Sequence, residues 1–232
     1  MKNLFLMTIS SLFFSLSVYA QDKTFDLSSF TSIDASSGIE ITLYKGDPRA
    51  DVIMKKGDID DLVIKQSGQN LVLNFKQKIS FFGNSGNRQA VVSLYYDTDI
   101  SDVQVSAGAS VECDETMKVN AMDCDASSGG SIELIVEANK TDIDVSSGAS
   151  VEIEGSTDQL DVDVSSGASF NGKNFKAEKV DADSSSGASA KVWVTNEIDA
   201  SSSSGGSIRY KGDPTKKDLD SGKWSGGSIS KM

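Results

Sequence analysis

Histidine is absent from the 232 residues. That excludes serine–histidine and cysteine–histidine nucleophilic pairs and histidine-ligated zinc. Arginine occurs only at Arg49, Arg88 and Arg209, too few for a basic catalytic cluster. Cysteine is almost as scarce, with Cys113 and Cys124 alone. Beyond residue 20 no apolar run is long enough to cross a bilayer as a helix. Basic charge is also in deficit: 22 Lys and Arg against 34 Asp and Glu leave a net charge of −12. A surface this acidic repels nucleic acid and anionic lipid and keeps the chain soluble.

The first twenty residues read as a cleaved secretory signal peptide. Lys2 supplies the positive start, Leu4 to Leu16 the apolar stretch, and Val18-Tyr-Ala20 the small residues of a cleavage site. No cysteine follows the cut, so a lipid anchor is not expected. The exported chain would carry 21 basic and 34 acidic residues, a net charge of −13. Its expected place is the periplasm or the cell surface.

What the chain has in excess is one short phrase. Ser-Xaa-Gly-Ala/Gly-Ser is centred on Gly108, Gly129, Gly148, Gly167, Gly187 and Gly205, with a worn copy at Gly226 in which Trp224 replaces the first serine. A fixed period near 20 residues marks a solenoid, each repeat burying its apolar side only against its neighbours.

Counting from each glycine, positions −5 and −3 are mostly apolar (Val103/Val105, Cys124/Ala126, Ile143/Val145, Val162/Val164), as are +3 and +5 (Val111/Cys113, Ile132/Leu134, Val151/Ile153, Ile208/Tyr210). Alternation of period two predicts two strands per repeat, each with one buried face, joined at the glycine corner. A third short stretch, such as Thr157–Leu160 or Asn174–Ala177, is expected to close each coil. The fold class expected is all-β, a right-handed parallel β-helix, with antiparallel sheet as the alternative. Residues 21–100 are less regular and read as an N-terminal β cap of the same domain, followed by β-helix repeats and a C-terminal cap over 101–232. Ser36-Ser-Gly38 already resembles the repeat, and Tyr44-Lys-Gly-Asp-Pro48 recurs as Tyr210-Lys-Gly-Asp-Pro214, a turn that ends a strand.

The combination of Ser-Xaa-Gly repeats with the closing Ile208-Arg-Tyr-Lys-Gly-Asp-Pro214 resembles the putative auto-transporter adhesin, head GIN domain family of Bacteroidetes. The likeness runs from about Phe25 to Ser228. It implies a β-helical fold and a cell-envelope setting, and supplies no catalytic residues.

The residues themselves offer several sites. Position −6 holds Asp102, Asp123, Asp142, Asp161, Asp181, Asp199 and Asp220, and position −4 adds Asp125, Asp144, Asp163 and Asp183. Hard carboxylate oxygens suit Ca²⁺, so Asp142/Asp144, Asp161/Asp163 and Asp181/Asp183 are the candidate metal ligands; no other cofactor is expected. A plainly solvated aspartate face is the competing reading. The +4 column changes sign along the array, from Glu112, Glu133 and Glu152 through Asn171 to Lys191 and Arg209. Serines at −2 and +2 could meet a sugar or satisfy the corners. Trp193, Trp224 and the loop at Phe81-Phe82 are candidates for stacking on a glycan. Cys113 and Cys124 fall on inward positions of consecutive repeats, where they either form a disulfide or stay as buried thiols.

Carboxylates that repeat evenly do not converge, and catalysis needs a local constellation. The expected function is therefore non-catalytic: an adhesin-like or scaffold module of the envelope binding a glycan or a protein partner. The alternative is a β-helical polysaccharide lyase or hydrolase.

Overall fold

The computed structural model describes residues 21–76, 88–222 and 226–232. The signal-peptide reading, the Phe81-Phe82 loop and Trp224 lie outside those residues. The described chain is nearly all strand, with one 3₁₀ turn at Ile59–Asp61, and its seventeen strands join into a single sheet wound into a parallel β-solenoid of about seven turns.

The repeats stack in register. Ser131–Val145 runs parallel to Ser150–Val164, which runs parallel to Ser169–Ser184, and that strand to Ser189–Ser202. Every inward position named from the alternation is buried, from Val103, Val105 and Val111 to Ile208 and Tyr210. In the four long strands from Ser131–Val145 to Ser189–Ser202 the third stretch closes the coil without breaking the strand. In Ser169–Ser184 it is the buried pair Phe175 and Ala177, bounded by the exposed pairs Lys173/Asn174 and Glu178/Lys179. Two consecutive exposed residues shift the phase of the alternation, and that shift turns the chain.

Each repeat corner from Gly108 to Gly205 is a tight turn with both central residues in the left-handed region. Ser147 has φ 54° and Gly148 φ 72°, and the Ala149 N–H donates to the Ser146 carbonyl at 3.1 Å. This is type I′ geometry, in which a non-glycine residue at the first central position carries backbone strain. The strained serine is held from the neighbouring turn: the Gly148 N–H donates to the Ser166 carbonyl at 3.2 Å, and Gly129 donates likewise to Ser147. The hydrogen-bond ladder thus passes through the corners as well as along the sides.

The first turns are stacked out of chain order. Ser32–Ser36 and Ile39–Lys45, the two sides of the Ser37-Gly38 corner, lie parallel to Asp102–Ser106 and Ser110–Lys118. On their other side lie Asn70–Phe75 and Gln89–Tyr96, also parallel. Beyond these the sheets continue antiparallel, through Leu62–Ser67 on one side and Arg49–Lys56 then Gln21–Asp26 on the other. Both Tyr-Lys-Gly-Asp-Pro segments leave a strand at their lysine, Lys45 and Lys211.

Candidate functional site

Parallel stacking converts each outward position into a column along the axis. Asp102, Asp123, Asp142, Asp161, Asp181 and Asp199 form one, and Gln104, Asp125, Asp144, Asp163 and Asp183 the next. The last member expected from counting is corrected. Asp218, and not Asp220, pairs with Asp199, while Asp220 stands beside Ser201. The final turn carries two more residues between strand and corner than its predecessors, so a count of six back from Gly226 stops two residues short.

The two columns bound open troughs. One, of about 420 Å³, runs across four turns between Asp125, Asp144, Asp163, Asp183 and the serines Ser127, Ser146, Ser165, Ser185. A second, of about 370 Å³, lies between Asp161, Asp181, Asp199 and the chain of Lys140, Gln159, Lys179 and Glu197. Desolvation, and after it the repulsion of neighbouring aspartates, raises the pKa of Asp123, Asp125, Asp163 and Asp181. Lys140 relieves part of this by donating to Asp142 at 2.7 Å.

Asp142, Asp144, Asp161, Asp163, Asp181 and Asp183 are thus brought to one face, but as two parallel lines. Among the described residues no three acidic or thiol groups gather as a metal ion would need.

Cys113 and Cys124 are both buried and both free, so the structure departs from the disulfide alternative. They stand on different sides of the coil. Cys124 stacks between Val103 and Ile143, whereas Cys113 stacks on Leu134. The Cys113 Sγ lies 3.4 Å from the Glu115 carbonyl and 3.9 Å from the Tyr96 hydroxyl. Burial raises the pKa of both thiols and keeps them protonated and inert.

The opposite sign of charge is concentrated elsewhere. On the outer face of the other side, Glu112, Glu133 and Glu152 stack in one column that continues through Asn171 to Lys191 and Arg209. Beside it Trp193 lies between Lys176 and Lys211 of the adjacent turns, with the Lys211 ammonium 3.8 Å from the ring centroid. The alternation pattern gave the Glu-to-Lys column. Lys176, on one flank of Trp193, escaped it because a bulge between Asn171 and Lys176 shifts the register.

A further aromatic cluster sits among the early turns. Tyr44 and Tyr95 pack with ring centroids 5.4 Å apart, and the Arg49 guanidinium covers Tyr95 at 3.5 Å. Arg49 is anchored there by Asp51 at 3.2 Å.

A family model described as "Putative auto-transporter adhesin, head GIN domain" matches residues 29–214. Among solved structures, a putative adhesin from Bacteroides fragilis superposes with a TM-score of 0.80 at 18% identity, covering 93% of this chain and 98% of that one. A putative adhesin from Parabacteroides distasonis has a TM-score of 0.70 at 16% identity, over 92% and 97% of the two chains. A putative lipid binding protein from the same species has a TM-score of 0.69 at 20% identity, over 93% and 98%. At these identities the likeness is one of fold. No curated protein matches the chain.

Proposed function

Because the chain belongs to the putative auto-transporter adhesin, head GIN domain family, we propose that it is a non-catalytic, exported envelope module that binds an extended glycan or a protein partner along its outer faces. The observation that carries this reading is the arrangement of its polar side chains in columns parallel to the axis, bounding a trough that crosses four turns. A groove that repeats every turn, roughly 4.8 Å, meets a linear ligand at equivalent points and assembles no single reacting centre. Carboxylates accept from hydroxyl groups and serines both accept and donate, which suits polyhydroxylated chains. Among the described residues no helix is long and apolar enough to cross a membrane.

The test is a glycan array and an envelope-protein capture with the purified chain, run beside a reducing-end assay on the same polysaccharides. Retention of a glycan or an envelope protein without new chain ends is expected. Depolymerisation of any polysaccharide would overturn the reading in favour of a polysaccharide-active enzyme.

A further inference from the structure

On a chain of net charge −12, the last turns carry a basic strip. Lys191 and Arg209 stand opposite each other on adjacent strands, and Lys211 stands opposite Trp193, itself two residues from Lys191 on the same outer face. Lys176 borders the strip on the preceding turn. Like charges directly opposite one another on neighbouring strands destabilise a sheet. Several surface cations elsewhere are paired: Lys118 meets Glu137 at 2.8 Å, Lys140 meets Asp142 at 2.7 Å, and Lys216 meets Glu197 at 3.6 Å. Lys176, Lys191, Arg209 and Lys211 have no ion pair among the described residues; Lys211 rests over the Trp193 ring.

We infer that this strip is the binding site for the end of a linear acidic glycan, one that carries a carboxylate or sulfate on its sugars. The inference rests on the reading of the chain as a glycan-binding module and names the ligand class and the face.

Three features select that ligand. The Arg209 guanidinium presents a planar fork that matches a carboxylate or sulfate in two parallel hydrogen bonds, and Lys191 and Lys211 supply point charges beside it. Trp193 is half-buried and offers apolar surface to the C–H face of a sugar ring. Finally, the strip is short and one-ended. The +4 column turns acidic at Glu152, Glu133 and Glu112, so an anionic polymer laid lengthwise would be repelled after the first sugars. Two cationic turns separated by roughly 4.8 Å hold a terminal segment of about two sugars. The same acidic column disfavours nucleic acid, whose phosphates continue without interruption.

The experiment measures binding of the purified chain to polygalacturonate, to a sulfated glycosaminoglycan and to neutral dextran. Duplex DNA and anionic phospholipid vesicles form two further arms. Binding to one or both acidic glycans at low salt is expected, weakening as salt rises. Lys191→Glu and Arg209→Glu should each weaken it roughly tenfold or more. Arg209→Lys should retain part of the affinity, and Lys65→Glu, a charge reversal on the exposed face of Leu62–Ser67 among the early turns, should leave it unchanged. Melting curves of each variant confirm that it is folded.

Failure of the wild-type chain to bind either acidic glycan overturns the inference, as does binding that survives both charge reversals. Binding of DNA or vesicles through the strip, with neither acidic glycan bound, also overturns it. Capture of neutral glycans or of an envelope protein, with no acidic glycan bound, sinks this inference while leaving the proposed function standing. Capture of nothing in any format sinks both.

Discussion

Gly155 passes so close beneath Val136 of the preceding turn that a Cβ on it would lie 2.1 Å from the Val136 carbonyl oxygen. Both residues sit in the ladder that joins Ser131–Val145 to Ser150–Val164. At the corner, Gly148 has φ +72° and open space around the site of a Cβ. The two glycines therefore carry different constraints. Gly148→Ala should cost about 1 kcal/mol, the strain of a left-handed backbone alone. Gly155→Ala adds a collision with backbone and should cost roughly 3 kcal/mol or more. Urea unfolding of the two variants checks the order; equal losses would show that the close approach is absent.

The corner serines make a prediction of the opposite sign. Ser147 and Ser166 adopt φ 54° and 55°, where a side chain is disfavoured. Ser147→Gly should be neutral or stabilising by up to about 1 kcal/mol. A clear loss of stability in thermal unfolding would show that the serine side chain contributes more than its backbone strain costs.

Thr141 is fully buried, and its hydroxyl has no hydrogen-bond partner among the described residues. Thr141→Val keeps the shape and removes the orphaned group. Stability should rise by about 1 kcal/mol or more, read from chemical denaturation. A loss would mean that the hydroxyl is satisfied.

The aspartate columns should make the protein more stable in mild acid. The pKa values of Asp123, Asp125, Asp163 and Asp181 are raised by desolvation first and neighbouring carboxylates second. The folded state therefore binds their protons more tightly than the unfolded one. Their contribution is fully present below the ordinary aspartate pKa of about 4. It is lost as pH rises through the elevated folded values. The melting temperature should climb as pH falls from 7 towards that window, and Asp163→Asn should flatten the climb. Calcium at matched ionic strength should raise melting no further than sodium chloride. An excess shift with calcium would reveal a cation site along the columns.

Both thiols should be silent in the native state and appear together on unfolding. Cys113 and Cys124 are free and buried, so a thiol reagent added without reductant should label neither until denaturant is present, and then both. Failure to label two thiols in the unfolded chain would establish a bridge.

Much of the coil was legible because burial follows backbone geometry of period two. Val162 and Val164 had to face inward once Asp161 and Asp163 faced out, and the structure buries both valines. Counting failed where turn lengths changed. Asp220 looked like the end of the aspartate column, and a two-residue difference in the last turn gave that place to Asp218. The out-of-order stacking of Asn70–Phe75 beyond Ser32–Ser36 had no local signal either, since strands of similar pattern can pair in many orders. The separation of Cys113 from Cys124 was hidden for a related reason: inward-facing positions on two sides of a coil look alike in one dimension.

The sequence alone determined the period, the inward residues, the position of the glycine corners and the family, because each rests on short-range alternation or on repeated letters. Tertiary structure decided which turns touch, and therefore which charges become neighbours. Asp125 and Asp144 are nineteen residues apart in the chain and directly opposed in the sheet. Lys191, Trp193, Arg209 and Lys211 become one surface only when their two turns stack in register. The stacking follows from burying a continuous apolar interior and pairing every backbone group between turns, a condition met over the whole coil and by no single repeat.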